Sequence, residues 1–371
     1  MRDDTPDRID ALLAGPRGRA LLLAYACEST RAVADSSGSH PFTTAVFYAS
    51  HHLDPRWGTS ARILFGPAGI APEYPVVSPE MVGDALAIVE LAALAETFLR
   101  ERVATATNDA AYWQQPSGED LIAGSPPVCS QLRRVAHHIV TSAVSSWWFT
   151  EMDPSSQQLV WWQKEPARVS PELLHEYLHT DRGHRIEREK RAAREYDGDP
   201  IAAGSGQWWS APPSVLPRTS RTCTDGSPNG LWWVEDGLGE ETAWTCPVQI
   251  SGGARIAEIA THDDWADLCR RFPLFVTAQM RHDWYLTTGR VGEWVIPDWA
   301  AVSAEYDAVH LQVGAYLSAA GNIIPVDRDR ASVIAGWAPD ETYWLGSMVS
   351  PSAPSRQWVR TADESWRLCE P

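Results

Sequence analysis

Residues 216–244, LPRTSRTCTDGSPNGLWWVEDGLGEETAW, decide how this chain is read. A short run holding Arg218 and Arg221 comes first, and a Gly/Ser/Pro/Asn cluster follows it. That order predicts a strand and then a loop. Residues 230–234 predict a second strand with Trp232 and Trp233 adjacent, because aromatic side chains favour the extended backbone. Glu235 and Asp236 open an acidic, glycine-containing turn, which leads to a third segment centred on Ala243 and Trp244.

The sequence on the N-terminal side has a different texture. Residues 9–30 read as a helix interrupted around Gly15-Pro16. Runs 43–50 and 61–65 read as short strands, and the polar stretch 31–40 as a loop. Ser78-Pro79-Glu80 places a hydroxyl cap, a first-turn proline and an acid at a helix start, and the helix is predicted to continue to about residue 103. Residues 131–149 repeat apolar side chains at i, i+3, i+4 and i+7 from Leu132 to Trp147. Ser170-Pro171-Glu172 starts a further helix, predicted to reach Tyr196. Beyond residue 200 short aromatic strands and turns take over. Helices are expected there over 263–271 and 299–306, and extended segments over 248–250, 255–259, 308–313, 323–326, 332–337 and 342–345. This shift divides the chain into a mostly helical domain, 1–200, and a small mixed or antiparallel sheet domain, 201–371. The fold class is α+β, without the strand–helix alternation of a doubly wound sheet or a glycine-rich phosphate loop.

At 371 residues, with 44% apolar and 21% charged side chains, the chain has enough material for a large core. The net charge of −17 opposes nucleic-acid binding outside a local basic patch. Such a patch spans 182–194, but its interleaved Glu187 and Glu189 mark a solvated helix face. The six cysteines lack C-x-x-C spacing, as expected for reduced thiols in a cytoplasmic protein, although Cys223 and Cys246 could lie on neighbouring strands. The start of the sequence lacks a signal-peptide layout, and the apolar run 20–26 is too short to span a membrane. Nineteen tryptophans include four adjacent pairs, read chiefly as core, with each indole N–H given a partner. A tryptophan groove for a carbohydrate or a protein partner is the rival reading.

Residues 175–179, HEYLH, match H-E-x-x-H. Spacing of i and i+4 puts His175 and His179 on one helix face, where they could hold zinc while Glu176 activates water. The flanking Glu172 and Asp181 are charged where zinc peptidases carry apolar or small residues. His184 follows His179 by five residues, whereas the spacing of the third ligand in metzincins is six. The expectation is a solvated helix without metal, with the zinc peptidase kept as an alternative.

Three fragments carry a resemblance to ADP-ribosyltransferases. LPRTSR, 216–221, is similar to the family's first strand, which in the toxin-like branch bears an arginine. GLWWVED followed by TAW resembles G-I-Y-F-A-D followed by S-A-N-Y, with Trp232 at the place of the tyrosine that stacks on nicotinamide. DETYWL, 340–345, is similar to the last catalytic strand, where a glutamate precedes an aromatic and apolar run. Residues 299–311, WAAVSAEYDAVHL, resemble the helix and Y-D strand of many such domains. The resemblance implies NAD-dependent mono-ADP-ribosyl transfer, with NAD as substrate and no metal. Arg218, or else Arg221, would hold the ribose and nearby phosphate, and Glu341 would stabilise the oxocarbenium-like transition state. Acceptor choice would lie in the N-terminal half and in loops such as 281–290, and 282–285 with Arg290 could line a pocket.

Overall fold

Prolines open most helices of the first half. Pro16, Pro41, Pro79, Pro126 and Pro171 each stand at a first helical position, where a missing N–H costs nothing and φ is already set. The computed structural model describes residues 4–31, 40–56, 75–162, 170–196, 198–199, 201, 206–235, 237, 239–362 and 365–369. The helices are α1 (Thr5–Ala14), α2 (Pro16–Ser29), α3 (Pro41–Leu53), α4 (Pro79–Ala87), α5 (Glu96–Asn108), α6 (Gly118–Gly124), α7 (Pro126–Val140), α8 (Pro171–Glu195), α9 (His262–Arg271), α10 (Thr277–Thr288), α11 (Trp299–Val302) and α12 (Val313–Ala319). The strands are β1 (Gln157–Trp162), β2 (Arg218–Arg221), β3 (Thr242–Ile250), β4 (Ile256–Ile259), β5 (Pro273–Phe275), β6 (Glu293–Pro297), β7 (Ala308–Leu311), β8 (Ile324–Pro325), β9 (Arg330–Ser332), β10 (Thr342–Trp344), β11 (Val349–Pro351), β12 (Arg356–Arg360) and β13 (Trp366–Leu368).

The predicted break at Gly15-Pro16 separates α1 from α2. A Cβ on Gly15 would lie 1.9 Å from the Leu317 carbonyl oxygen, so only glycine lets this corner meet α12. Residues 43–50 belong to α3 and not to a strand. Pro41 at the first turn and His40, whose ring accepts from the Phe42 N–H, start a helix that the aromatic run does not override. The expected helix from 78 to 103 is broken into α4 and α5. Arg134 donates to the carbonyls of Leu86 and Val89, and Ala92 exchanges hydrogen bonds with Ser29 and Tyr25. Tertiary partners thus take over backbone groups that a continuous helix would pair internally. The stripe after Leu132 is buried in α7, but Ala143–Phe149 tightens into a 3-10 turn. α8 matches its expectation closely, and the 281–290 region is mainly helix α10 where a loop was expected. The run 61–65 lies outside the described residues.

The fold is mixed helix and sheet. The main sheet runs β13-β12-β3-β1-β2-β10-β7-β4, with β11 also pairing β3. All its pairs are antiparallel except β4 with β7. A second sheet runs β5-β6-β9-β8. β1 precedes residue 200 yet lies between β2 and β3, so the strands of the main sheet come from both sides of that position. One hydrophobic cluster likewise extends from Leu12 and Leu21 to Trp265, Trp337 and Leu345. Trp265, Trp284, Trp337 and Trp344 are wholly enclosed, and their indoles donate to Ser332, Trp208, Glu341 and Thr219. All six cysteines are free thiols. Among the described residues no helix is long and apolar enough to cross a membrane.

Candidate active site

β2 lies beside β10 in a register that pairs Arg218 with Tyr343 and Thr219 with Thr342. Side chains alternate along both strands, so Arg218 and Tyr343 share one face and Thr219, Arg221 and Thr342 the other; just before β10, Glu341 lines the same pocket as Arg218, and Asp340 the pocket of Arg221. Arg218 Nη1 donates to Glu341 Oε1 at 3.1 Å, and its guanidinium lies 5.8 Å from the Tyr343 ring centre. Glu341 is buried. Its carbonyl accepts from the Trp337 indole and from the Leu311 N–H. Burial raises the Glu341 carboxyl above its ordinary range, and Arg218 pulls it back. Burial alone would lower the Arg218 value, but Glu341 and Tyr343 outweigh it, so the guanidinium stays charged.

This pair borders a small pocket of about 30 Å³ whose walls include Trp162, Ser220, Gly230, Glu235 and Gly336. That is room for a water molecule or two, well below the roughly 300–1,000 Å³ of small-molecule sites, but Trp162 and Val234 are also walls of a larger groove of about 680 Å³. Glu235 is not a simple turn acid. Its Oε1 accepts from the hydroxyls of Tyr112 at 2.9 Å and Tyr316 at 2.8 Å. Its Oε2 accepts from the backbone N–H groups of Gly336 and Trp337. Burial pushes the Glu235 carboxyl up to about 7 against these four donors. Gly336 has φ 75°, and a Cβ there would meet Trp209 at 2.3 Å, so this wall requires glycine.

Two of the residues expected to bind cofactor lie elsewhere. Residues 230–234 do not form a strand. Asn229–Leu231 is a 3-10 turn because the N–H groups of Trp232 and Trp233 bond locally to the Asn229 carbonyl. Trp232 is thereby turned away from the cleft, its ring 3.9 Å from the Arg100 guanidinium carbon and its indole N–H on Ser227. It lines an adjoining groove with Trp162 and Trp366. Arg221 projects from the far face of β2, where its guanidinium lies 5.0 Å from the Trp147 ring centre. Asp236 lies outside the described residues.

His282, Asp283, Trp284 and Tyr285 belong to α10, and Trp284 is core, so this group does not join the cleft. His175 and His179 are exposed on α8 with ring centres 4.2 Å apart. Among the described residues no histidine, cysteine or carboxylate completes a metal-binding group of three with them. Sequence reasoning missed Glu235 as a wall of the cleft, and Trp162 and Trp233 as the indoles bordering it. No local signal marks Glu235 as a cleft residue, because its partners Tyr112 and Tyr316 come from distant parts of the chain. No protein-family model, curated protein or solved structure matches the chain.

Proposed function

We propose that this chain cleaves the nicotinamide–ribose bond of NAD and transfers the ADP-ribosyl group to an acceptor, on an ADP-ribosyltransferase-like arrangement of β2 and β10. The supporting observation is the Arg218–Glu341 pair at the cleft, made by residues 123 positions apart. Nicotinamide leaves as a neutral molecule, taking the electrons of the C–N bond onto its ring nitrogen, so the step needs no general acid. It needs a fixed negative charge near a positive ribose carbon, the part a Glu341 carboxylate paired with Arg218 would play. Glu341 would also accept a ribose hydroxyl, while Arg218 offers a fork of donors to the phosphate side. The acceptor then bonds to the ribose carbon and loses its proton to water. The stacking role passes from Trp232 to Trp162, the indole that borders both the cleft and the adjoining groove.

Incubation with NAD, followed by chromatography of released nicotinamide, tests this. Release by wild type that is lost in Glu341→Gln supports the reading. An absence of release at saturating NAD, with cell extract as acceptor, overturns it. The groove of Trp162, Trp232 and Trp366 favours one rival, a binding module, which would show ligand-dependent indole quenching without release.

A further inference from the structure

Behind the cleft, on the opposite face of β2 and β10, lies an ionic chain that the proposed chemistry does not touch. Glu258 of β4 accepts from His310 Nδ1 of β7 at 2.7 Å, and His310 Nε2 lies 3.6 Å from Asp340 Oδ1. Glu258 also accepts from the Met152 N–H at 2.9 Å and from Gln312 Nε2 at 3.2 Å. His310 and Asp340 are buried, and Arg221 and Asp153 stand at the edge of the same small pocket. The other Asp340 oxygen, Oδ2, accepts from the Arg221 N–H at 2.8 Å and from Asn229 Nδ2 at 2.9 Å. Asp340 is also the only non-glycine residue with positive φ among the described residues, at 61°. Such a conformation is disfavoured for a residue with a side chain and persists only where the surroundings over-determine it.

The geometry points to Asp340, held by the Arg221 N–H and Asn229 and faced by the His310–Glu258 pair, as the positioning residue that sets Glu341 against Arg218. The role rests on reading the Arg218–Glu341 pair as the reactive one. Asp340 and Glu341 project to opposite faces, so rotation of the backbone at Asp340 swings the neighbouring carboxylate through the cleft. The Asp340 carboxylate clamps two elements that shape the cleft, β2 with Arg218 and the turn with Gly230. Glu258, Asp340 and Gln312 face His310 from the adjoining elements, and a charged imidazole neutralises the two acids, which would otherwise repel each other across the sheet.

Two measurements on Asp340→Asn and His310→Gln, each checked for cooperative melting, test this. The first is the carbon-13 titration of the Glu341 carboxyl, assigned as the signal missing from Glu341→Gln. The second is kcat and KM for nicotinamide release. Misplacing Glu341 removes its cation partner, so its titration midpoint should rise by about one pH unit or more. The kcat should fall about tenfold while KM stays within about twofold, since the missing interaction serves the transition state. Asp340→Asn should retain more activity than Asp340→Ala, because its amide oxygen still accepts from the Arg221 N–H. Unchanged Glu341 titration and unchanged kcat in the folded Asp340→Asn and His310→Gln proteins overturn the assignment. Should wild type release no nicotinamide, the transferase reading fails alone, and the Glu341 titration still decides the positioning role.

Discussion

The two faces of the β2–β10 pair each hold a cation against carboxylates, in opposite circumstances. On the cleft side Arg218 meets Glu341 beside a small pocket that shares Trp162 with a larger groove. On the far side His310 sits between Glu258 and Asp340 with almost no exposure. A guanidinium keeps its charge at any pH a protein survives, whereas an imidazole gives its charge up within that range. On the open face the cation is therefore constant, although Glu235 in its wall titrates near neutral pH. On the closed face the cation itself ties stability to pH.

The largest effect expected from breaking this contrast is on the open side. Glu341→Gln should lower nicotinamide release by roughly 10²–10³-fold, the usual consequence of losing one preorganised charge-stabilising group. Its melting temperature should fall as well, because the buried Arg218 guanidinium loses its carboxylate, so the rates are compared at a temperature where both proteins are folded. Next is Trp162→Ala, which should raise KM for NAD about tenfold, in line with the stacking energy of one base on an aromatic ring. Trp232→Ala should leave KM unchanged, because that indole lies on Arg100 outside the cleft. Both values come from initial rates over a range of NAD concentrations.

The closed side is probed by stability against pH. His310 is raised to about 9, with burial opposing the shift and Asp340 and Glu258 producing it. Its folded pKa exceeds the ordinary value near 6.5, so its stabilisation is complete below that pH and fades as pH rises through 9. Denaturant midpoints from pH 6 to 9.5 should reveal a loss on the order of 3 kcal/mol, absent in His310→Gln. Glu235 adds a loss at lower pH. Its folded value near 7 lies above the ordinary 4.5, so the burial of its charge destabilises the fold as pH rises from 4.5 to 7. Glu235→Gln should flatten that window. The amide oxygen can face the Gly336 and Trp337 N–H groups while the amide nitrogen donates to the two tyrosines. The smallest effect belongs to His175→Ala with His179→Ala, expected within about 0.5 kcal/mol of wild type because both rings are exposed.

Local signals made much of this fold legible. The Ser78 and Ser170 hydroxyls accept from Met81 and Leu173 N–H groups, as their place ahead of a first-turn proline predicts. The strands around Arg218, Thr342 and Ala308 could be read from their turns and aromatic content. Residues 43–50 misled because their β-branched and aromatic side chains carry a strand signal, whereas the deciding cap and proline stand just ahead of them. At residues 230–234 the same bias hid a turn fixed by Asn229 and by the Ser220 hydroxyl on the Gly230 N–H. The cleft shows where such reading ends. Arg218 and Glu341 were nameable from short fragments, but the surroundings of Glu235 depend on Tyr112, Tyr316 and the 336–337 backbone, which no spacing connects.

The placement of β1 governs how this chain can be made and cut. Its partners, residues 219–221 and 243–247, emerge from the ribosome after it, so the middle of the main sheet cannot close until β3 has been synthesised. A fragment starting at residue 201 would carry β2 and β3 with a vacant lane between them, two facing rows of unpaired backbone groups that invite strands from other copies. Supplied in trans, a segment containing residues 157–162 would be the natural filler of that lane.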